Sequence, residues 1–339
     1  EKWTYRKGEN QMIEVSHISK NFKIQKRRSG AGGFVKDIFS REYMTKEAVK
    51  DVSFSIEDGE CIGYIGPNGA GKSTTIKMLS GILVPSAGKV VVNGIEPYKN
   101  RKANALQVGL VFGQRTQLWW DIPVRDTLEL YRKLYNIPEQ TYKRNLEIFN
   151  DILELDKFDN VAVRQLSLGQ RMRADLACAL VYNPAVLYLD EPTIGLDVVV
   201  KEKIREFIKE VNREHQTTIM LTTHDMSDVE KLCKRVIVID HGQVMFDGEL
   251  DQLKHKYGEE RIVNIEFSKP ISEVEIPAEF APFVVEKERN RLTLNADTSK
   301  VKPINIVDYF RREVEIVDFE VREPEIEAVI RRMYQNMEA

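Results

Sequence analysis

Apolar and polar positions alternate over 12–24 and again over 49–56, the period-two signature of half-buried strands. Elsewhere the apolar positions run together. Cys61-Ile62-Gly63-Tyr64-Ile65, Val108-Gly109-Leu110-Val111-Phe112, Ala185-Val186-Leu187-Tyr188-Leu189, Thr218-Ile219-Met220-Leu221-Thr222 and Val236-Ile237-Val238-Ile239 are short runs of the kind that form buried strands. Two further strands are predicted over 89–94 and 243–246. Between these runs the spacing turns helical. It does so over 73–79, over 124–155 (Leu128, Tyr131 and Leu134, then Leu146, Phe149 and Leu153), after 166–170 (Met172, Leu176 and Leu180) and over 201–213. Strands alternating with helices predict an α/β sheet with a parallel core, whose ligand sits at the carboxyl ends of the strands.

The texture changes past Gly258. Strands are predicted over 261–267, 291–294 and 314–321, and helices over 304–310 and 325–333. Such a stretch suffices for a small α+β accessory domain, 258–339, and it carries no catalytic constellation. The main domain is expected over 12–257. Residues 1–11 are polar and lack periodicity, and Met12 is a plausible native start, so they read as an extension or a remnant. An insertion over 25–47 interrupts the first two strands. It begins with Lys26, Arg27 and Arg28, passes through a glycine-rich stretch, and puts Phe34, Val35, Ile38 and Phe39 on one face of a short helix. That face either packs on its own domain or meets a membrane or a membrane-embedded partner.

Composition narrows the classes. The chain has 339 residues and a net charge of −3, so no global basic field recruits nucleic acid. No apolar run approaches the ~20 residues of a membrane-spanning helix, and Glu1-Lys2-Trp3-Thr4-Tyr5 lacks the apolar region of a secretory signal. Cys61, Cys178 and Cys233 are scattered within apolar runs, which predicts reduced core thiols of a cytosolic protein, not a disulfide set or a zinc site.

The candidate chemistry centres on Gly66-Pro67-Asn68-Gly69-Ala70-Gly71-Lys72-Ser73-Thr74, which fits G-x-x-x-x-G-K-[ST] between a predicted strand and a predicted helix. Gly66, Gly69 and Gly71 let successive backbone N–H groups point inward at phosphate oxygens. The helix that follows adds its free amides and the positive end of its dipole. Lys72 supplies a point charge and Ser73 a hydroxyl for Mg²⁺. The apolar run 185–189 then delivers Asp190 and Glu191, an acid suited to Mg²⁺ followed by an acid suited to orienting and deprotonating water. His224 ends the strand at 218–222.

The P-loop, Gln114, the turn Leu166-Ser167-Leu168-Gly169-Gln170, the pair Asp190-Glu191 and His224 stand in an order that closely resembles the nucleotide-binding subunit of an ATP-binding cassette (ABC) transporter. The resemblance covers roughly 12–250. It implies a P-loop NTPase with an ABC-type parallel-core sheet, a helical subdomain at about 114–182, an antiparallel β subdomain and the small C-terminal α+β domain. It further implies Mg-ATP hydrolysis by two subunits that sandwich two ATP molecules, with ATP and Mg²⁺ as ligands.

Each role is carried over by position. Phe22 matches the aromatic that stacks on adenine, the alternative being a strand core residue. Gln114 resembles the glutamine that touches Mg²⁺ or the attacking water and senses the membrane subunit. Gly113 is an extra residue before it relative to the common pattern, so Gln117 is a second candidate. Ser73, Gln114 and Asp190 are the implied Mg²⁺ ligands, Glu191 the general base and His224 the switch histidine at the γ-phosphate. Asp197 matches the D-loop. Ser167, Leu168, Gly169 and Gln170 match the signature that acts in trans on the partner's ATP. Leu168 departs from the commonest form, which has glycine there, and a side chain at that point would crowd the phosphate unless it points away.

The implied partners are a second ATP-binding subunit and integral membrane permease subunits, at the cytoplasmic face of the membrane, with no nucleic acid. The insertion resembles the extended segment of ATPases that export surface polysaccharides, and the tail more loosely resembles the accessory domain that closes many ABC-2-type exporter ATPases. Trp119 and Trp120 are expected on an extended segment, one facing a membrane subunit and the other packed inward, or else both in the core. The rival reading is a non-transport ABC ATPase acting on DNA or ribosomes. No sustained heptads separate Lys72 from Asp190, however, and the chain carries one cassette and a slightly acidic charge.

Overall fold

The computed structural model describes residues 11–25, 43–113, 115–258, 260–298 and 300–338. The stretch 1–10, the apolar face at 34–39 and Gln114 lie outside the described residues. The chain divides into two compact units, Glu1–Gly248 and Glu249–Ala339.

The first unit begins with β1 (Gln11–Gln25), β2 (Tyr43–Glu57), β3 (Cys61–Ile65), α1 (Lys72–Leu79), β4 (Ala87–Val92), α2 (Arg101–Ala105) and β5 (Val108–Phe112). Three helices follow, α3 (Val124–Leu134), α4 (Glu139–Leu153) and α5 (Leu168–Leu180). The unit closes with β6 (Val186–Asp190), α6 (Val198–His215), β7 (Thr218–Thr222), α7 (Met226–Leu232), β8 (Arg235–Asp240) and β9 (Gln243–Glu249).

The strands form two sheets. One has three strands in the order β2-β1-β4, all antiparallel. The other has six, in the order β5-β6-β7-β3-β8-β9, and the pairings from β5 through β8 are parallel. The apolar runs occupy the parallel strands because both faces are covered: Ile62, Tyr64, Leu187, Tyr188, Ile219, Met220 and Ile237 are fully buried. Helix α1 belongs to the core shared by the two sheets. Its Ile76 and Leu79 pack in one cluster with Ile13, Val52 and Ile56 of the antiparallel sheet and Tyr64, Tyr188 and Ile239 of the parallel one. The phosphate-loop helix is thereby fixed on both sides, and the Tyr64 hydroxyl donates to Thr75 Oγ1 at 3.2 Å.

Several boundaries differ from the sequence reading. Strand β2 starts at Tyr43, since β1 and β2 stay paired through Lys23–Thr45, Ile24–Met44 and Gln25–Tyr43. Residues 43–47, expected within the insertion, are therefore strand. The helical stretch over 124–155 is two helices, broken before Pro138, which lacks the N–H a continuing helix needs. Helix α6 begins at Val198, because Asp197 caps it: Oδ1 accepts from Val200 N at 3.0 Å.

The second unit holds α8 (Leu250–Tyr257), β10 (Glu260–Phe267), β11 (Val284–Glu288), β12 (Arg291–Asp297), α9 (Pro303–Glu313), β13 (Ile316–Arg322) and α10 (Ile326–Glu338). Its four-stranded antiparallel sheet has the order β11-β12-β10-β13. With α9 between β12 and β13, this is a ferredoxin-like arrangement in which two short 3₁₀ turns stand between β10 and β11. Val263, Ile265, Phe267, Leu292, Leu294, Ile306 and Phe310 form its core. Strand β11 escapes the sequence reading because its five residues include three charged ones.

Candidate active site

Strand β3 runs directly into the phosphate loop. A Cβ on Gly66 would lie 2.1 Å from the Ile239 carbonyl of β8, so only glycine lets the loop leave the sheet here. Gly71 is the N-cap of α1 at φ 110°, a conformation that favours glycine. It offers no capping side chain, which leaves the first-turn amides of α1 available to an anion. Pro67, Asn68 and Gly69 are exposed at the loop tip, Ala70 is buried, and Ser73 and Thr74 are half-buried. Lys72 curls back under the loop, and its Nζ donates to the carbonyls of Gly66 (2.6 Å) and Pro67 (3.1 Å). Burial pulls the Lys72 ammonium below its ordinary pKa, while the charges of Glu191 and Asp190 oppose that fall.

Those carboxylates stand at the end of β6. Asp190 Oδ1 accepts from Thr222 Oγ1 at 2.6 Å. The Asp190 carbonyl accepts from Gly113 N at 2.7 Å, and Glu191 N donates to the Thr222 carbonyl at 2.9 Å. The ends of β5, β6 and β7 are thus tied side by side. Glu191 leaves the strand at φ 59°, in the left-handed region. Its Oε1 lies 2.7 Å from His224 Nε2, beyond the end of β7. The structure therefore brings Lys72, Asp190, Glu191 and His224 into one neighbourhood.

Ser167 caps α5 in a reciprocal box. Its Oγ accepts from Gln170 N at 3.2 Å, and Gln170 Oε1 accepts from Ser167 N at 2.9 Å. Among the described residues, no hydrogen bond or ion pair joins Ser167, Leu168, Gly169 or Gln170 to the 66–74 loop, Asp190, Glu191 or His224. The signature turn instead abuts the D-loop. Leu168 Cδ2 lies 3.2 Å from where a Cβ on Gly195 would stand, and Val200 lies at 3.3 Å from the corresponding point on Gly169. The Leu168 side chain reaches towards Gly195 and stays 43% exposed.

Phe22 is half-buried in β1, with Lys20 Nζ 5.5 Å from its ring centroid, so it is not a core residue. Gln117 is anchored to β5, where its Nε2 donates to the Leu110 carbonyl at 2.9 Å. The segment that carries it is fastened to α5 by Asp175, whose Oδ1 accepts from Gln117 N and Thr116 Oγ1, each at 3.0 Å. Burial pushes the Asp175 carboxyl up to about 6.

The tryptophans correct the expectation of alternation. The chain bends at Leu118 and turns at 120–121, so Leu118 takes the inward position and both rings stay outside. Trp119 is 57% and Trp120 49% exposed, and Arg171 lies 4.7 Å from the Trp120 ring centroid.

Gly113, which looked like an extra residue, is required by the geometry: a Cβ there would stand 1.9 Å from the Glu191 carbonyl. Thr222 and Asp175 carried no sequence signal beyond a polar residue in an apolar setting. Cys61 Sγ and Cys233 Sγ approach to 3.9 Å, a proximity that their separation in the chain hides.

A loop that cradles anions between a parallel strand and an uncapped helix, with paired acids at the end of β6 in the same sheet, one strand removed from β3, defines a P-loop nucleotide hydrolase. The family model described as "ABC transporter" matches residues 49–194. The chain is 34% identical over 234 residues to the ABC transporter ATP-binding protein NatA of Bacillus subtilis, covering 68% of this chain and 95% of that one. It is 34% identical over 265 residues to a Nod factor export ATP-binding protein I of Burkholderia pseudomallei (78% and 86%). It is 29% identical over 330 residues to the methionine import ATP-binding protein MetN 2 of Enterococcus faecalis (94% and 90%). Among solved structures, the dimeric post-hydrolysis state of the cassette MJ0796 bound to ADP and Pi superposes with a TM-score of 0.59 at 25% identity, covering 70% of this chain and 99% of that one.

The chain belongs to the ABC transporter family, as an ATP-binding, ATP-hydrolysing subunit.

Proposed function

We propose that the phosphate loop, Glu191 and His224 form the hydrolytic centre of a subunit that drives transport through separate membrane subunits. The observation that carries this reading is the meeting of Glu191 and His224 at 2.7 Å, beside a lysine that feels the charges of both Glu191 and Asp190. Lys72 and the free amides of α1 bind the phosphates and offset their charge. Glu191 orients the attacking water and takes its proton, and His224 holds Glu191 and reaches the γ-phosphate from the other side. Phe22, half-buried in β1, serves adenine stacking. Gln114 is the proposed sensor between this site and the membrane subunit.

Mg²⁺ fits the donors present. Ser73 offers a hydroxyl and Asp190 a carboxylate, both hard oxygen ligands. No cluster of three or more His, Cys, Asp or Glu side chains among the described residues could hold a metal alone. A site of few protein oxygens completed by phosphate oxygens is the usual setting for Mg²⁺. When bound, the ion neutralises charge on the phosphates.

Two further parts follow from what the chain leaves unpaired. Ser167, Leu168, Gly169 and Gln170 open a helix without a phosphate partner in their own chain, which favours action on ATP held by a second subunit. The dimeric cassette among the structural neighbours supports the same assembly. No helix among the described residues is long and apolar enough to cross a membrane, so the proposed location is peripheral, on the cytoplasmic side of a membrane complex. Trp119 and Trp120, both exposed and five and six residues beyond Gln114 in the sequence, are the proposed docking surface.

Export is the proposed direction, on the likeness to an exporter ATPase and the features of the insertion and tail. Cysteines at Trp119 and Trp120 should cross-link to a co-expressed membrane subunit, with a yield that changes on adding ATP. Failure of both, with a control site linking, would remove the docking surface. Vesicles that accumulate cargo on the ATP side would overturn export.

A further inference from the structure

We infer that Asp228 is a positioning residue for hydrolysis, holding the loops of Glu191 and His224 in register through one buried carboxylate. Asp228 lies on α7 and is completely buried. Its Oδ2 accepts from Thr193 Oγ1 at 2.5 Å and from Thr223 Oγ1 at 3.0 Å. Thr193 stands two residues beyond Glu191, and Thr223 directly precedes His224. Each reacting side chain is therefore one short backbone step from a hydroxyl that ends on the same oxygen.

The other oxygen is taken by Arg205 of α6, whose guanidinium approaches Oδ1 to 2.6 Å and is itself only 5% exposed. Arg205 also donates to Ser227 Oγ at 2.7 Å and to Glu202 Oε2 at 3.1 Å. This leaves the carboxylate fixed, with every strong acceptor direction filled. Helix α6 is the helix that Asp197 caps, so the D-loop is tied into the same network. A buried polar network that is fully satisfied holds one geometry, and small misplacements of catalytic groups are costly in rate.

The role of Asp228 rests on the assignment of Glu191 and His224 proposed above. Asp228→Asn exposes the fold itself to an unpaired Arg205, so the threonines give the cleaner test. Thr193→Val and Thr223→Val keep side-chain volume and remove the hydroxyl, while Thr193→Ser and Thr223→Ser keep the hydroxyl. In the full chain, each valine variant is expected to lower kcat for ATP on the order of 10- to 100-fold, with KM and the Kd for Mg-ADP within about threefold. The serine variants should stay within about threefold of the parent in all three. The double valine variant should lose less than the product of the single losses, because both hydroxyls act through one oxygen.

Valine variants with normal kcat would overturn the inference, as would serine variants as impaired as the valines. Loss of Mg-ADP affinity in step with kcat would also overturn it, since that outcome marks general damage to the fold. Glu191→Gln, assayed alongside, separates the two readings. If it turns over normally, the hydrolytic assignment fails; if it is inactive while the valine variants are normal, only the role of Asp228 fails.

Discussion

His224 Nε2 lies 2.7 Å from Glu191 Oε1, and the two side chains reach each other from the ends of adjacent parallel strands. The register that pairs Asp190 with Thr222 sets this meeting, and the left-handed turn at Glu191 completes it. Replacing Glu191 with glutamine keeps its size and an oxygen for His224 but removes the basic carboxylate. Glu191→Gln is expected to bind Mg-ATP within a few-fold of the parent while kcat falls by about 10²- to 10⁴-fold. Phosphate release and equilibrium binding measure the two terms. Near-normal turnover would take the role of base away from Glu191.

Gly113 controls the same corner from β5. It donates to the Asp190 carbonyl, and any side chain there would meet the Glu191 carbonyl at 1.9 Å. Backbone cannot yield as a flexible side chain can, so Gly113→Ala should displace the end of β6. The expected cost is at least about 2 kcal/mol in denaturant unfolding, with a loss of kcat larger than the loss of nucleotide affinity. An alanine variant with unchanged stability and turnover would show that the corner relaxes freely.

What the sequence made legible follows from where the physics is local. The phosphate loop could be read because glycine positions, Lys72 and the flanking strand and helix lie within one short segment. The acids of β6 could be read because a fully apolar run announces a buried strand, and Asp190 and Glu191 stand at its end. The network around Asp228 could not, since Thr193 after β6, Arg205 of α6, Thr223 after β7 and Asp228 of α7 meet only once these segments fold together. The tryptophan pair misled for a related reason. Alternation holds only in an extended chain, and the bend at Leu118 is set by Thr116 and Asp175, the latter far along the chain.

Asp175 gives a pH dependence of defined sign. It is 3% exposed, and burial raises its carboxyl from 3.8 to about 6, against the hydrogen bonds from Gln117 N and Thr116. The folded protein therefore holds this proton more firmly than the unfolded chain. The contribution is most favourable below about pH 4 and is lost as the pH rises through about 6, by on the order of 2 to 3 kcal/mol. Asp175→Asn keeps the Oδ1 that accepts both bonds and removes the titration. Relative to the parent, its melting temperature should rise progressively from pH 4 to pH 7. A constant difference across that range would show that Asp175 does not titrate there.

The central claim is that the signature turn at Ser167 completes a site on a second chain. Light scattering of Glu191→Gln with and without Mg-ATP tests it most directly, because blocked hydrolysis lets the ATP-bound assembly persist and mass action then favours the dimer. The expected result is a single-chain mass without nucleotide and twice that mass with Mg-ATP, the increase being abolished by Ser167→Arg in the same background. A mass that stays the same with and without Mg-ATP, at concentrations where nucleotide binding is saturated, would contradict the claim.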